Sequence, residues 1–279
     1  METFSTEVSL TWLNSNRHTL NVSNMGRYQG MSANPEKDNR MSESTKTTQK
    51  PRHHRCDTCD VRHKAMCAAV DYEHTDQLQA IVSHRDYAPG QVIFEEGDPA
   101  DYVFNVSNGE VRLYKLLPDG RRQVTGFLTS GDFLGLVTDS SYAYGAEAIG
   151  QVELCCMQLG NLERLLSDIP PVRERLLDMS RDELAAAQEQ MLLLGRKTAR
   201  EKIFSFLLNR HNHLNRTDGD ASVDLPMSRT DIADYLGLTI ETVSRTFTAL
   251  RDEGLIELPN PHHVIFPDMD AVRDAAEAA

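Results

Sequence analysis

The chain has 279 residues, of which 25% are charged, and its formal net charge is -13. This length allows about two domains, each with a sizeable core. The acidic balance disfavours nonspecific binding to nucleic acid or acidic membranes, although it is compatible with a local basic face.

The sequence predicts a cytoplasmic protein. No apolar run reaches the roughly 18 residues that a membrane span requires, and the opening METFSTEVSL lacks the basic start and apolar stretch of a secretory signal. In a reducing compartment, clustered cysteines more often bind metal or carry out redox chemistry than form structural disulfides.

Residues 1–50 are rich in Ser, Thr, Asn and Lys, without apolar periodicity, and are predicted to be a disordered tail.

Residues 51–86 are interpreted as a cysteine-rich loop with a lead-in helix. Its thiols are Cys56, Cys59 and Cys67, and a fourth comes from Cys155 or Cys156 far downstream. Four thiolates brought together by the fold suit a structural zinc ion or an iron-sulfur cluster.

Residues 87–169 show short apolar runs that are separated at regular intervals by turn residues. Gly97-Asp98, Asn108-Gly109, Asp119-Gly120 and Gly131-Asp132 tolerate the positive φ angles of tight hairpins. This spacing predicts an antiparallel β-roll, and a purely structural sandwich would have the same pattern.

Residues 170–195 switch to helical periodicity and are interpreted as a dimerisation helix. Small and apolar side chains that recur every three or four residues form one narrow stripe. The stripe consists of Leu177, Ser180, Leu184, Ala187, Met191 and Leu194. The same stripe could instead pack on its own domain.

Residues 196–279 contain a winged helix-turn-helix pattern. Ser228 and Asp231 have capping-box spacing, Gly237 ends the first helix, and Thr239 can cap a second that runs to Gly254. Two apolar runs on either side of 259–261 predict a wing. The second helix presents polar side chains near its start, as a major-groove reader requires. These residues are Glu241, Thr242, Ser244 and Arg245. A helical hairpin that merely packs is the plainer interpretation.

At this point the sequence resembles a known family. Segment 231–245, DIADYLGLTIETVSR, closely resembles the DNA-binding motif of the CRP/FNR superfamily of bacterial transcription regulators, and segment 115–123, KLLPDGRRQ, resembles part of its roll. The spacing Cys56-x2-Cys59-x7-Cys67 is similar to the FnrN/FnrL variant of the oxygen-responsive FNR branch.

The resemblance implies an α+β fold, with an amino-terminal β-roll like that of cyclic-nucleotide-binding domains, a long dimerisation helix and a carboxy-terminal winged helix-turn-helix domain. It also implies a 4Fe-4S cluster on Cys56, Cys59, Cys67 and Cys155, the latter taking the family's fourth ligand position. The expected protein is an activator that forms a homodimer while its cluster is intact and controls anaerobic or microaerobic genes.

The expected partners are double-stranded DNA and RNA polymerase. The family's base-reading triplet falls on Glu241, Ser244 and Arg245, which would read a TTGA-type inverted repeat, and the loop 118–123 resembles an activating surface that contacts polymerase. No cyclic nucleotide is expected, because segment 141–146, SYAYGA, lacks the Arg-Ser pair that would hold its phosphate.

Three alternatives remain open from the residues. A zinc site could use His53, His54 or His63 as a ligand, or the same fold could respond to another small molecule. An enzyme could use Cys59 as nucleophile and His63 as base. The sequence has no glycine-rich phosphate loop, nucleophile elbow or metal-hydrolase signature, so no enzyme is predicted.

Overall fold

The computed structural model describes residues 55–135, 140–214 and 221–277. The predicted tail, 1–50, and two of the alternative zinc ligands, His53 and His54, lie outside the described residues.

The described elements follow the order expected of an α+β chain. Two short 3-10 turns, Arg55–Thr58 and Met66–Ala69, precede the first helix. The helices are α1 Thr75–Ile81, α2 Leu159–Asp168, α3 Pro170–Arg196, α4 Ala199–Leu214, α5 Arg229–Leu236, α6 Ile240–Asp252 and α7 Met269–Glu277. The strands are β1 Val82–Tyr87, β2 Val92–Phe94, β3 Tyr102–Asn108, β4 Val111–Leu116, β5 Arg122–Leu128, β6 Phe133–Leu134, β7 Gly145–Ala148, β8 Val152–Gln158, β9 Ser222–Asp224, β10 Glu257–Asn260 and β11 His263–Ile265.

Strands β1 to β8 form a roll of two antiparallel sheets, as the turn spacing predicts. One sheet has the order β1-β8-β3-β6 and the other β2-β7-β4-β5. Among the four predicted hairpin turns, only Asp119-Gly120 joins two paired strands, β4 and β5. The hairpin prediction is wrong for the other three, because each passes the chain from one sheet to the other. Gly109 shows why such a crossing needs glycine: its φ is 87°, and an added Cβ would lie 2.2 Å from the Gln151 carbonyl oxygen.

A separate apolar cluster joins the cysteine segment to the start of α3. Met66 and Val70 are buried there with Leu162, Ile169 and Val172. The segment that carries Cys67 therefore packs directly on the helix predicted to dimerise. In the part of the chain that the structure describes, no helix is long and apolar enough to cross a membrane.

Helices α4 to α7 and the sheet β10-β11-β9 enclose the carboxy-terminal core. The predicted capping box is present, since the Ser228 hydroxyl accepts from the Asp231 N–H and the Asp231 carboxylate accepts from the Ser228 N–H. Gly237 ends α5 with a φ of 62°. The wing is also present, although β10 extends through Pro259 and Asn260, which were predicted to form the turn. Strand β9 and helix α7 were not predicted.

Candidate metal centre and nucleic-acid interface

The fold brings Cys155 to the three cysteines of the amino-terminal segment. Burial, together with the charges of Cys59, Cys56 and Cys67, raises the pKa of Cys155 to about 12. Burial also raises the pKa of Cys67 to about 11, with the Cys59 and Cys56 thiols contributing in the same direction. Thiols that disfavour one another's ionisation lie in the same region of the fold, and a cation placed among them would reverse this effect.

Cys156 lies on the other face of β8. Its side chain is buried in the core of the roll, where it is 1% exposed and its sulfur contacts the Leu154 carbonyl oxygen. Burial raises its pKa to about 11, and the charge that acts on it belongs to Arg85. Adjacent residues of a strand point to opposite faces, and here only Cys155 faces the cysteine segment.

Arg62 holds the cysteine segment in shape. Its guanidinium donates to the Cys56 carbonyl oxygen at 3.2 Å, to the Val70 carbonyl oxygen at 2.8 Å and to the Thr75 hydroxyl at 3.1 Å. Its own carbonyl oxygen lies 4.0 Å from the Cys67 sulfur. One side chain thereby ties the first cysteine to the backbone that follows the third.

Polar side chains connect the cysteine segment to the roll next to Cys155. Arg55 donates to the Glu153 carboxylate, which also lies 3.4 Å from Nδ1 of His84. The same His84 nitrogen is 3.7 Å from the Cys155 sulfur. Arg55, which precedes Cys56, is thus linked through Glu153 and His84 to the surroundings of Cys155.

The donor set fits a soft metal centre, because it consists of thiols that originate from two segments of the chain. Within the described ranges, no three His, Cys, Asp or Glu side chains are close enough to bind one metal ion. His63, a possible zinc ligand, is exposed.

The predicted stripe on α3 lies largely on the protein surface. Leu184 is 60% exposed and Met191 is 65% exposed, whereas Leu193 is buried in the carboxy-terminal core. Leu177, Ala187 and Leu194 are also exposed, and Ser180 is half-buried. The helix thus packs one face on its own chain and leaves an apolar face uncovered.

Helix α6 has the polar leading edge that the sequence predicts for a recognition helix. Glu241, Ser244 and Arg245 are exposed, while Val243 and Phe247 are buried against the domain. Thr242 is half-buried and belongs to the cap, since its N–H donates to the Thr239 hydroxyl at 3.2 Å.

Sequence reasoning missed a set of contacts between the roll and the carboxy-terminal domain. A buried ion pair joins Glu110 to Arg210, with both guanidinium–carboxylate bonds at 2.7 Å or less. Beside it, Phe127 of the roll packs on Phe206 and Tyr235, with ring centroids 6.1 and 5.3 Å away. These partners lie about a hundred residues apart in the chain, so no local pattern could have revealed them.

The predicted polymerase-contacting loop, 118–123, divides into two parts. Asp119 and Arg121 pair with each other on the surface at 2.7 Å. Arg122 and Gln123 instead contact helix α5, where Gln123 donates to the Asp234 carbonyl oxygen at 2.5 Å. Only the tip is therefore free to meet another protein.

Two family models match the chain. Residues 84–168 match the cyclic nucleotide-binding domain, and residues 201–275 match the Crp-like helix-turn-helix domain.

Individual proteins of known name are similar along most of the chain. The transcriptional activator protein FnrL of Cereibacter sphaeroides is 42% identical, over 80% of this chain and 92% of its own length. The transcriptional activatory protein AadR of Rhodopseudomonas palustris is 44% identical, over 79% of this chain and 90% of its own. Among solved structures, FixK2 from Bradyrhizobium japonicum has a TM-score of 0.67 and 37% identity, and the match covers 71% of this chain and 99% of that one.

Proposed function

The chain belongs to the CRP/FNR family of transcription regulators, and we propose that it is an oxygen- or redox-responsive activator that holds a 4Fe-4S cluster. The ligands would be Cys56, Cys59, Cys67 and Cys155. The observation that carries this proposal is that Cys155 of β8 faces the segment that carries the other three cysteines, whereas Cys156 lies in the core of the roll. When bound, the cluster would supply a redox-labile group that oxygen can destroy.

The chain's own residues would transmit the state of this site to α3. Arg175 of α3 donates to the Lys64 carbonyl oxygen at 2.7 Å, and Met66 packs in the same apolar cluster as Val172. A cysteine segment tied to Cys155 keeps this packing, which supports the arrangement of α3 that presents its stripe. When the tie is lost, the segment is free to move and that support weakens.

Dimerisation would occur through the exposed stripe on α3. Leu184 and Met191 are large apolar side chains that water surrounds in the isolated chain, and burying them against the same residues of a second copy is favourable. The proposed switch is therefore an association equilibrium, in which a modest change at the cysteine segment decides between monomer and dimer.

The dimer would read a TTGA-type inverted repeat with its two α6 helices. A carboxylate such as Glu241 accepts from cytosine N4, the guanidinium of Arg245 forks onto guanine O6 and N7, and Ser244 serves either. All three side chains are exposed on one edge of a helix whose first turn is capped by Thr239. Contact with RNA polymerase is proposed for the exposed tip that carries Asp119 and Arg121.

Spectroscopy of protein purified without air tests the cofactor. Visible and Mössbauer spectra before and after exposure to air are expected to show a 4Fe-4S cluster that oxygen degrades. A spectroscopically silent protein with one bound zinc ion would favour the structural zinc alternative. A protein without metal would favour a small-molecule signal in the same fold.

Serine variants identify the ligands. We expect Cys155→Ser to abolish cluster assembly and Cys156→Ser to keep most of it, because only the first thiol faces the cysteine segment. The reverse result would make Cys156 the fourth ligand. Full iron and sulfide content in Cys56→Ser, Cys59→Ser or Cys67→Ser would rule out the proposed set.

A further inference from the structure

Two arginines of the roll converge on the first helix of the helix-turn-helix motif. Arg112 of β4 donates to the Asp231 carboxylate at 2.6 Å, and Arg122 of β5 donates to the same oxygen at 2.8 Å. Nε of Arg122 also donates to the Asp234 carboxylate at 3.2 Å. We call these four residues the interdomain latch.

The Asp231 carboxylate accepts hydrogen bonds both from its own domain and from the roll. One carboxylate oxygen, Oδ2, closes the capping box of α5 by accepting from the Ser228 N–H at 3.0 Å, and the other, Oδ1, accepts from the two arginines. Its side chain is 4% exposed, and Glu147 neutralises the second amino group of Arg112. Charges this well shielded from water interact strongly, unlike an exposed surface pair.

The latch fixes the recognition helix through α5. Val243 and Phe247 of α6 are buried in the core that α5 helps to form, and the Arg229 guanidinium of α5 stacks 3.6 Å from the centre of the Phe247 ring. Helices α5 and α6 therefore move as one body, and whatever orients α5 orients α6.

The only covalent path from the dimerisation helix to this body is short. Helix α3 ends at Arg196 and α4 begins at Ala199, so Lys197 and Thr198 form the connection. Two linking residues allow the DNA-binding domain to pivot unless other contacts prevent it. The latch provides such contacts between the roll and α5.

We propose that the interdomain latch is a specificity-determining element, which sets the separation and angle of the two recognition helices and so selects the spacing between half-sites. This inference rests on the proposed recognition of an inverted repeat by a dimer. The latch residues are neither cluster ligands nor part of the base-reading edge of α6. Phosphate and base contacts position each helix on its half-site. The distance between half-sites that the dimer accepts is determined instead by how rigidly the two recognition helices are held.

The main experiment measures affinity for a series of duplexes. TTGA inverted repeats whose central spacer is lengthened or shortened by one and two base pairs are compared with a single half-site. We expect wild type to prefer one spacing by at least about tenfold, a factor that corresponds to about 1.4 kcal/mol. Arg122→Met should flatten this preference while half-site affinity stays within twofold.

Lys115→Met is the matched control. Lys115 is a cation of β4, the strand paired with the β5 strand of Arg122, but its partner is Glu96 of the roll at 2.6 Å, so its loss removes one positive charge without touching the latch. It should keep the wild-type spacing preference. Asp234→Asn, which removes the carboxylate that accepts from Nε of Arg122, should flatten the preference as Arg122→Met does and carries the test if that variant folds poorly.

Amide hydrogen exchange without DNA separates this proposal from that of operator binding. Strand β5 and helix α5 should both exchange faster in Arg122→Met and Asp234→Asn, and at the wild-type rate in Lys115→Met. Unchanged exchange together with an unchanged spacing preference would overturn the latch. Faster exchange in a protein whose wild type binds none of the duplexes would retain the latch as an interdomain contact and refute the proposed operator and the spacing role.

Discussion

The stability of the protein should fall sharply when one member of the buried ion pair between Glu110 and Arg210 is removed. Both side chains are less than 10% exposed, and Nε of Arg210 also donates to the Asp224 carbonyl oxygen at 2.6 Å. Arg210→Met keeps much of the side chain's volume but leaves the Glu110 carboxylate without its cation. The change therefore isolates an uncompensated charge in a place that water scarcely reaches.

Removing one partner of a buried ion pair destabilises a protein by about 3–5 kcal/mol. For a folded region of roughly 200 residues, each kcal/mol lowers the melting temperature by about 2–4 °C, so Arg210→Met should melt about 6–20 °C below wild type. Glu110→Leu combined with Arg210→Met removes both charges and should recover most of this loss, because a buried ion pair is often no more stabilising than apolar residues of similar volume.

The destabilisation caused by Arg210→Met should also depend on pH. Burial raises the pKa of Glu110, and Arg210 opposes that rise. When the folded-state pKa of an acid is raised, the folded protein binds the proton more tightly than the unfolded chain does. The stability that this proton confers is therefore present at low pH and is lost as pH rises. Without Arg210 the pKa of Glu110 should rise further, and the deficit of Arg210→Met should be largest near pH 8 and shrink towards pH 5.

Thermal unfolding followed by circular dichroism, from pH 5 to pH 8, measures these values. The double variant is the internal control, since its deficit should be small and nearly independent of pH. A melting temperature for Arg210→Met within about 2 °C of wild type, or a deficit that grows as the pH falls, would refute the reasoning.

Four further outcomes are expected. Arg62→Leu should lower iron and sulfide content although every cysteine remains, because the cysteine segment loses three hydrogen bonds; undiminished content would show that the thiols alone shape the loop. Leu184→Glu should leave the visible spectrum intact but give a monomer in anaerobic sedimentation, and a dimeric mass would place the seam elsewhere. Arg245→Ala should relax selection at one base pair by about 1–3 kcal/mol in a competition assay with substituted operators, and an unchanged base preference would remove it from the readout set. Replacing Asp119 and Arg121 by alanine should lower transcription in a purified polymerase assay without changing operator affinity, whereas equal loss of both would assign the tip a role in folding.

Local chemistry made the helix-turn-helix motif predictable from the sequence. The capping box of Ser228 with Asp231, the left-handed turn at Gly237 and the cap at Thr239 each involve residues within four positions of one another. Short-range hydrogen bonds and backbone preferences act in the same way wherever the segment folds, so these features were read correctly. The exposed stripe on α3 follows from helical periodicity for the same reason.

The turns of the roll mark the limit of this local reasoning. Asn108-Gly109 and Asp119-Gly120 look alike in sequence, and both glycines adopt positive φ. Yet the first passes the chain between sheets and the second closes a hairpin. The choice depends on which strands pair, and pairing is decided by packing across the whole roll.

Sequence alone thus determined the family resemblance, the succession of roll, long helix and helix-turn-helix motif, and the candidate cysteines, because spacing and residue type suffice for each. Only the tertiary structure placed Cys155 towards the cysteine segment and Cys156 in the core, since strand register orients β8. Only the tertiary structure joined Asp231 to Arg112, 119 residues away, because such pairs form where two folded surfaces meet and leave no periodic trace in the chain. The same carboxylate was visible in the sequence as a helix cap, but its role between the domains depends on the position of the roll.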